Sequence, residues 1–336
     1  MGKTVVVRRW VTRLVGIGVA AVVVSLLVVP QAREGLREVG VLGRVFAGYV
    51  VLAVALEVAS FLAYGFFTRA VLPAAGRPRW HWLLRVDLFG AGLTHILPGG
   101  GAAASAVRFR MLRRGGVDGT AAAFGSALQG VGSALVLVGL LLGSVVWVLP
   151  SVAHNPLYAT AAGVAGGLVA VAAVGALVLT RGRRRAASIV EWAGARLHLG
   201  RGGGALVHRV ADRAAEFRRD PRMLLSATGW AAANWLFDAA SLWVFLAAFG
   251  HRVPLAPILV AFALANLIAV LPVTPGGLGI IEGVLIPSLI GFGTPRAVAV
   301  VGVLAWRLVN FWAPIPAGGL AWLSLRMPRR PSAAAG

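Results

Sequence analysis

The sequence predicts an all-α polytopic membrane protein, with about six transmembrane helices and two opposed re-entrant hairpins arranged as an inverted repeat. Three observations lead there. Hydrophobic residues make up 59% of the 336 and charged residues 13%, with a mean hydropathy of +0.84, whereas a soluble domain is nearer half apolar and a quarter charged. The apolar residues gather in runs long enough to span a bilayer. The arginines cluster in the connections between those runs.

Apolar stretches occupy 14–30, 41–67, 86–107, 120–149, 157–180, 223–249, 255–292 and 298–325. The first follows Lys3, Arg8, Arg9 and Arg13 and could imitate a secretion signal. Its end, "VVPQA", sets Pro30 at the small-residue position of a cleavage site, so a retained helix is expected. Arginine-rich connections lie at 1–13, 69–85, 108–114, 181–222 and 326–330.

If every stretch crossed once, the basic loops 108–114 and 181–222 would face outside, against the positive-inside rule. If 86–107 dips in from the cytoplasm and returns, every basic connection becomes cytoplasmic. From Asp87 to Leu97 is roughly 16 Å of helix, short of a ~30 Å core, and "LPGGGAAAS" then lies within the membrane. By the same logic 255–292 enters and leaves from outside, with "VTPGGLG" at its tip. The expected location is the cell (plasma) membrane, with both termini cytoplasmic.

The halves repeat. "LTHILPGGG" (93–101) and "LIAVLPVTPGG" (267–277) both run Leu, four residues, Pro and a glycine cluster. "LEVASF" (56–61) matches "FDAASL" (237–242), pairing Glu57 with Asp238 and Ser60 with Ser241. A single integral membrane domain over 1–326 is expected, with units at about 41–149 and 223–325, a cytoplasmic basic loop at 181–222 and a disordered tail at 327–336. Opposed units of this kind mark many secondary transporters. Within the basic loop, Leu206, Val210, Ala214 and Phe217 share one helix face, as an interfacial helix on anionic lipid would.

The chain has no cysteine, which excludes disulfides and thiol chemistry, and its six histidines lack ligand spacing. No phosphate loop, dinucleotide fingerprint or zinc signature is present, so neither cofactor nor metal is expected. The net charge of +21 does not signal nucleic acid, because the arginines do not interleave with exposed aromatics.

Charges inside a bilayer are costly and face a cavity or a partner. Glu57, Asp238, Glu282 and Arg307 fall at such positions. Asn234, Asp238 and Ser241 share one helix face, as do Glu57, Ser60 and Tyr64, and Arg307, Asn310 and Pro314. Either these groups line a central polar pathway, or they are buried pairs that hold helices together, such as Arg307 with Glu282 or Asp238. Gly99, Gly100 and Gly101, like Gly276, Gly277 and Gly279, would start half-helices whose exposed N–H groups attract anions. Arg108 and Arg110, with Arg113 and Arg114, stand beside the first as a landing site for a lipid phosphate.

"LPVTPGGLGIIEG" resembles the lysylphosphatidylglycerol synthase transmembrane-region family, a flippase-like family whose Pro-x-x-Pro-Gly-Gly-x-Gly-x-x-Glu pattern falls on Pro272, Pro275, Gly276, Gly277, Gly279 and Glu282. "ILPGGGAAASAVRFRMLRRGGV" is similar to that family's first motif, and the resemblance covers about residues 10–326. The family often has a glutamate after the first glycine cluster, where this chain has Ala102 to Ala104. Glu57 is a candidate to take over its role. The cytosolic synthase domain has no counterpart here, so lipid aminoacylation is not implied.

The resemblance implies lipid translocation between leaflets. The expected function is a flippase for an anionic or zwitterionic phospholipid or a polyprenyl-phosphate lipid. The phosphate would meet a hairpin tip, and Glu282, Asp238 and Glu57 would bind a cationic head group or a coupling proton. Two rivals remain: a non-transporting partner of a separate lipid-modifying enzyme, and a membrane-embedded enzyme on polyprenyl or phospholipid substrates. The acids lie at depth without an accompanying histidine, which counts against an enzyme.

Overall fold

A computed structural model describes residues 45–74, 76–97, 99–148, 167, 203–270 and 274–326. The first expected helix (14–30), the stretch 157–180 apart from Gly167, Pro98, Pro272 and the tail lie outside the described residues. Among the described residues all regular structure is helical: α1 (Ala47–Val71), α2 (Trp80–Ile96), α3 (Gly100–Arg114), α4 (Gly119–Val148), α5 (Gly203–Arg219), α6 (Pro221–Ala248), α7 (Leu255–Ile268), α8 (Ile280–Gly291), α9 (Arg296–Arg307) and α10 (Pro314–Arg326). A 3₁₀ turn at Pro275–Gly277 precedes α8, and a π-helical turn at Leu308–Trp312 joins α9 to α10. Among the described residues, four spans are long and apolar enough to cross a membrane: α1, α4, α6 and the continuous α9–α10. The chain is an all-α polytopic membrane protein.

The helix starts follow local chemistry. Asp220 accepts the backbone N–H groups of Arg222 and Met223 and caps α6, with Pro221 at the first helical position. Asp118 accepts those of Ala121 (3.1 Å) and Thr120 (2.8 Å) at the head of α4. These bonds hold the Asp118 carboxyl below its ordinary range.

The two units are antiparallel to one another. Along the α1–α6 contact, Phe46 N–H meets Ala248 O (3.2 Å), Ser241 Oγ donates to Ala53 O (2.9 Å), Ser60 Oγ donates to Asn234 O (3.0 Å), and Phe66 stacks on Trp230. Residue numbers rise along one helix as they fall along the other. The two serine bonds are symmetry mates: Ser60 and Ser241, like Ala53 and Asn234, are 181 positions apart, the same offset that relates Glu57 to Asp238. The remaining contacts exchange in the same way. Arm α2 of the first unit lies along α10 of the second, and arm α7 of the second lies along α4 of the first.

Arm α2 is longer than the expected start at 86–87. It runs 17 residues from Trp80, about 25 Å, because Leu83, Val86, Asp87 and Gly90 form one buried stripe that carries the helix back towards the loop. Helix α5 forms, but the face expected on lipid packs on protein. Val210, Ala214 and Phe217 meet Phe67, Val71, Phe124, Ala227 and Ala231, which were free to cover it. Of the stripe, the Leu206 side chain lies outside the described residues.

The α2–α10 contact depends on two glycines. A β-carbon on Gly92 would come within 2.9 Å of Pro314 O, and one on Gly318 within 2.7 Å of Leu88 O. Gly318→Val is expected to lose about 1–3 kcal/mol through overpacking, read as a lower melting temperature in detergent. Gly319→Ala, with nothing within 4 Å of the new atom, should melt like the unaltered protein.

Candidate functional site

The crossing of α1 and α6 brings the two sequence-matched acids together. Asn310, on the π-helical turn, donates from Nδ2 to Glu57 Oε1 (3.0 Å) and to Asp238 Oδ1 (3.1 Å). Trp306 Nε1 also donates to Asp238 Oδ1 (2.8 Å). π-Turns within helices recur at functional sites, and this one carries Asn310 and Phe311 inward, just after Trp306 and Arg307. Beside the acids, Asn234 Nδ2 donates to Ser60 Oγ (2.8 Å).

Arg307 is buried and paired. Its Nε meets Glu282 Oε1 at 2.5 Å, its Nη2 reaches Gly276 O at 3.4 Å, and its guanidinium lies 4.5 Å from the Phe311 ring centre. The other oxygen of Glu282 accepts Gly279 N–H at 2.7 Å and so caps α8. A carboxylate is favoured at a helix N-terminus. This acid therefore ties the tip of the second broken helix to α9. Glu282 stands behind Arg307, while Arg307 is on the cavity wall.

A second buried pair answers it in the first unit. Arg108 Nε meets Asp87 Oδ1 at 3.0 Å, and Arg108 Nη2 meets Tyr64 OH at 3.0 Å. Asp87 Oδ2 accepts from Thr68 Oγ1 at 2.6 Å, and Gln129 donates to the same hydroxyl. Glu57 was the candidate for the acid missing after the first glycine cluster, yet the acid that pairs with Arg108 is Asp87.

These groups surround one cavity of about 370 Å³, lined by Glu57, Asp238, Asn310, Asn234, Arg307 and Arg108 among others. An apolar groove of about 1160 Å³ adjoins it between α3, α4 and α7. Thr94, Gly101, Ser105, Gly130, Ala269 and Gly276 line both spaces. The two chain breaks meet at this junction, where a β-carbon on Gly276 would lie 2.8 Å from the His95 ring and 2.6 Å from Phe311. Gly276, with φ +53°, could not take a side chain there.

Of the expected site residues, Gly99, Gly100 and Gly277 line the groove only. Pro275 and Gly279 shape the second tip without lining either space. Arg110 is exposed on α3, apart from Arg108. Sequence reasoning missed Asp87, His95 and Trp306. Asp87 entered the sequence reading only as the start of the short arm to Leu97, although its helix-face register with Gly90 and Thr94 is readable. Among the described residues, no group of three His, Asp or Glu side chains could hold a metal ion.

The family model for the lysylphosphatidylglycerol synthase TM region matches residues 13–318. The chain belongs to this family. A stretch of 123 residues, 34% of this chain, is 30% identical to a UPF0104 membrane protein of Methanothermobacter thermautotrophicus, over 36% of that protein. A second match to a UPF0104 membrane protein of that organism is 30% identical over 87 residues, 26% of each chain. The chain thus spans about a third or less of the length of these curated relatives. Within this family's TM region, both broken helices end at the cavity wall, and the cavity and groove lie wholly within residues 13–318.

Breaking a buried pair by removing one partner costs about 3–5 kcal/mol. Arg307→Met is expected to lose that much, because Glu282 stays buried without its cation. Adding Glu282→Gln to Arg307→Met should recover most of it, since the amide oxygen still caps Gly279. Thermal unfolding in detergent measures both, and a double variant no more stable than Arg307→Met would show that the pair is not the cause.

Proposed function

We propose that this chain moves a phosphate-bearing lipid between membrane leaflets. One observation supports this above the others: a polar cavity holding two paired arginines is continuous with an apolar groove. A lipid divides the same way, into a charged head and apolar chains. With its head in the cavity and its chains along α3, α4 and α7, a lipid could cross the core without exposing its phosphate to hydrocarbon.

Guanidinium groups have five N–H donors, and the contacts above use Nε and Nη2 of Arg108 and Arg307. Their outer donors are the phosphate ligands in this reading. The substrate is an anionic or zwitterionic phospholipid or a polyprenyl-phosphate lipid. Stretches 86–107 and 255–292 are re-entrant hairpins entering from opposite faces of the plasma membrane, with both termini cytoplasmic. Six spans frame them in one domain, and the hairpin tips alternately open the cavity. The chain acts as a transporter and not as an enzyme. A separate lipid-modifying enzyme would supply or consume its lipid.

Ala127 lines the groove but not the cavity. Ala127→Trp is expected to reduce the movement of fluorescent phosphatidylglycerol in proteoliposomes to the level of protein-free vesicles, without lowering the melting temperature. Movement at the unaltered rate would exclude the groove as the path.

The absence of cysteine makes the topology directly testable. In intact cells, a cysteine replacing Arg252 should react with an impermeant maleimide from outside. One replacing Arg114 should react only after the membrane is opened. Labelling of position 114 in intact cells would remove the first hairpin.

A further inference from the structure

Resting on that reading, we propose that Glu57 and Asp238 form a proton site that couples lipid movement to a proton gradient. The argument starts from charge. The two buried arginines nearest the pair are each engaged by another acid, Arg307 by Glu282 and Arg108 by Asp87. Glu57 and Asp238 share one neutral donor, the Asn310 amide, and Asp238 also accepts from the neutral Trp306 indole. Two buried carboxylates without a cation of their own are a costly arrangement. One added positive charge removes most of that cost.

The second observation identifies the charge. Glu57 Oε2 is buried and has no hydrogen-bond partner. The two carboxyl groups accept from one and the same nitrogen, Asn310 Nδ2, at 3.0 and 3.1 Å, which sets them side by side, so a proton on one oxygen supplies a donor that the pair lacks. Although Glu57 lines the cavity, this oxygen is itself closed to solvent, which keeps an ammonium head group from it, whereas a proton needs no more than a transient water. In the step itself, an O–H bond forms on one carboxylate, which becomes a carboxylic acid and donates to the other. Release to water on the opposite side returns both to carboxylates.

The position suits alternating access. The acids occupy equivalent places in the two antiparallel units, 181 residues apart, so the site lies where the two units cross. Among the described residues, the other titratable or charged groups around the cavity are Tyr64 on α1, His95 on α2, Arg108 on α3 with its partner Asp87 on α2, and Arg307 on α9 with its partner Glu282 on α8; α4 contributes the neutral polar groups Gln129 and Ser133.

The test uses the full chain in phosphatidylethanolamine–phosphatidylglycerol vesicles, with fluorescent phosphatidylglycerol as the probe. For one proton per lipid, a gradient of one pH unit should accumulate the probe about tenfold in one leaflet. Glu57→Gln and Asp238→Asn should leave the probe equally distributed, and Glu57→Asp should retain partial accumulation. An equal distribution in the unaltered protein, whatever the gradient, overturns the coupling. Infrared difference spectra across pH test the site itself. A protonated-carboxyl band should be present in the unaltered protein and absent from both amide variants. Its absence from the unaltered protein overturns the site. If the protein moves no lipid under any condition, the transport reading fails, and the infrared result alone decides the proton site.

Discussion

Ser60 and Ser241 each donate to a backbone carbonyl of the opposite helix, Asn234 O and Ala53 O. The rest of the architecture follows from this doubled contact. It holds α1 and α6 antiparallel and in register, which places Glu57 and Asp238 across the same crossing. Interhelical hydrogen bonds in membranes average about 0.6 kcal/mol each, so a single serine would specify little. Two related by the same offset, with the aromatic stack of Phe66 on Trp230 beyond them, fix one register against a slip of a helical turn. Once that register holds, each unit lends its first arm to the other, and the broken helices converge on one point.

Convergence would be costly without compensation of charge. Each broken helix has an arginine near it, and each arginine is matched by one acid. The two solutions differ. Glu282 is local to its own half-helix and uses one oxygen as a cap, so the second tip is fastened by its own sequence. Asp87 reaches Arg108 from the preceding arm, and α3 begins at Gly99 with no side-chain cap. The first tip is closed by its own backbone, Gly100 N–H to Leu97 O and Ala102 N–H to Gly99 O, while the second spends an N–H on Glu282. The repeat is symmetric in its frame and asymmetric in its chemistry.

Much of the frame was legible in the sequence, because its signals are local. Run length gives spans, and the matched "LEVASF" and "FDAASL" segments give the crossing. The pairing of Arg307 with Glu282 was legible only as one option among several, since Asp238 satisfied the same charge argument. What separates them is the Gly279 cap, which orients Glu282 towards α9 and leaves Asp238 to the Trp306 indole. Asp87 and His95 were missed because each owes its place to a contact across more than a dozen residues, with Arg108 and with Phe311. The same holds for α5, whose amphipathic face fits lipid and protein equally well until Phe67 and Phe124 are seen to be open to it.

The tips themselves explain why the helices break. A continuous helix through 269–280 would bury its carbonyl groups in its own ladder, leaving Gly276 O unable to accept Arg307. It would also need a β-carbon where His95 and Phe311 close on Gly276, unless glycine were kept inside a helix at a cost of about 1 kcal/mol. The break removes both problems, and it lets a residue of one unit touch the tip of the other through atoms that have no side chain between them. His95 stacked on Phe311 at 4.5 Å, with Gly276 against both, is therefore a contact among α2, the π-helical turn and the second tip at once. That contact joins the second tip and α2 to the turn that holds Asn310 between the two acids.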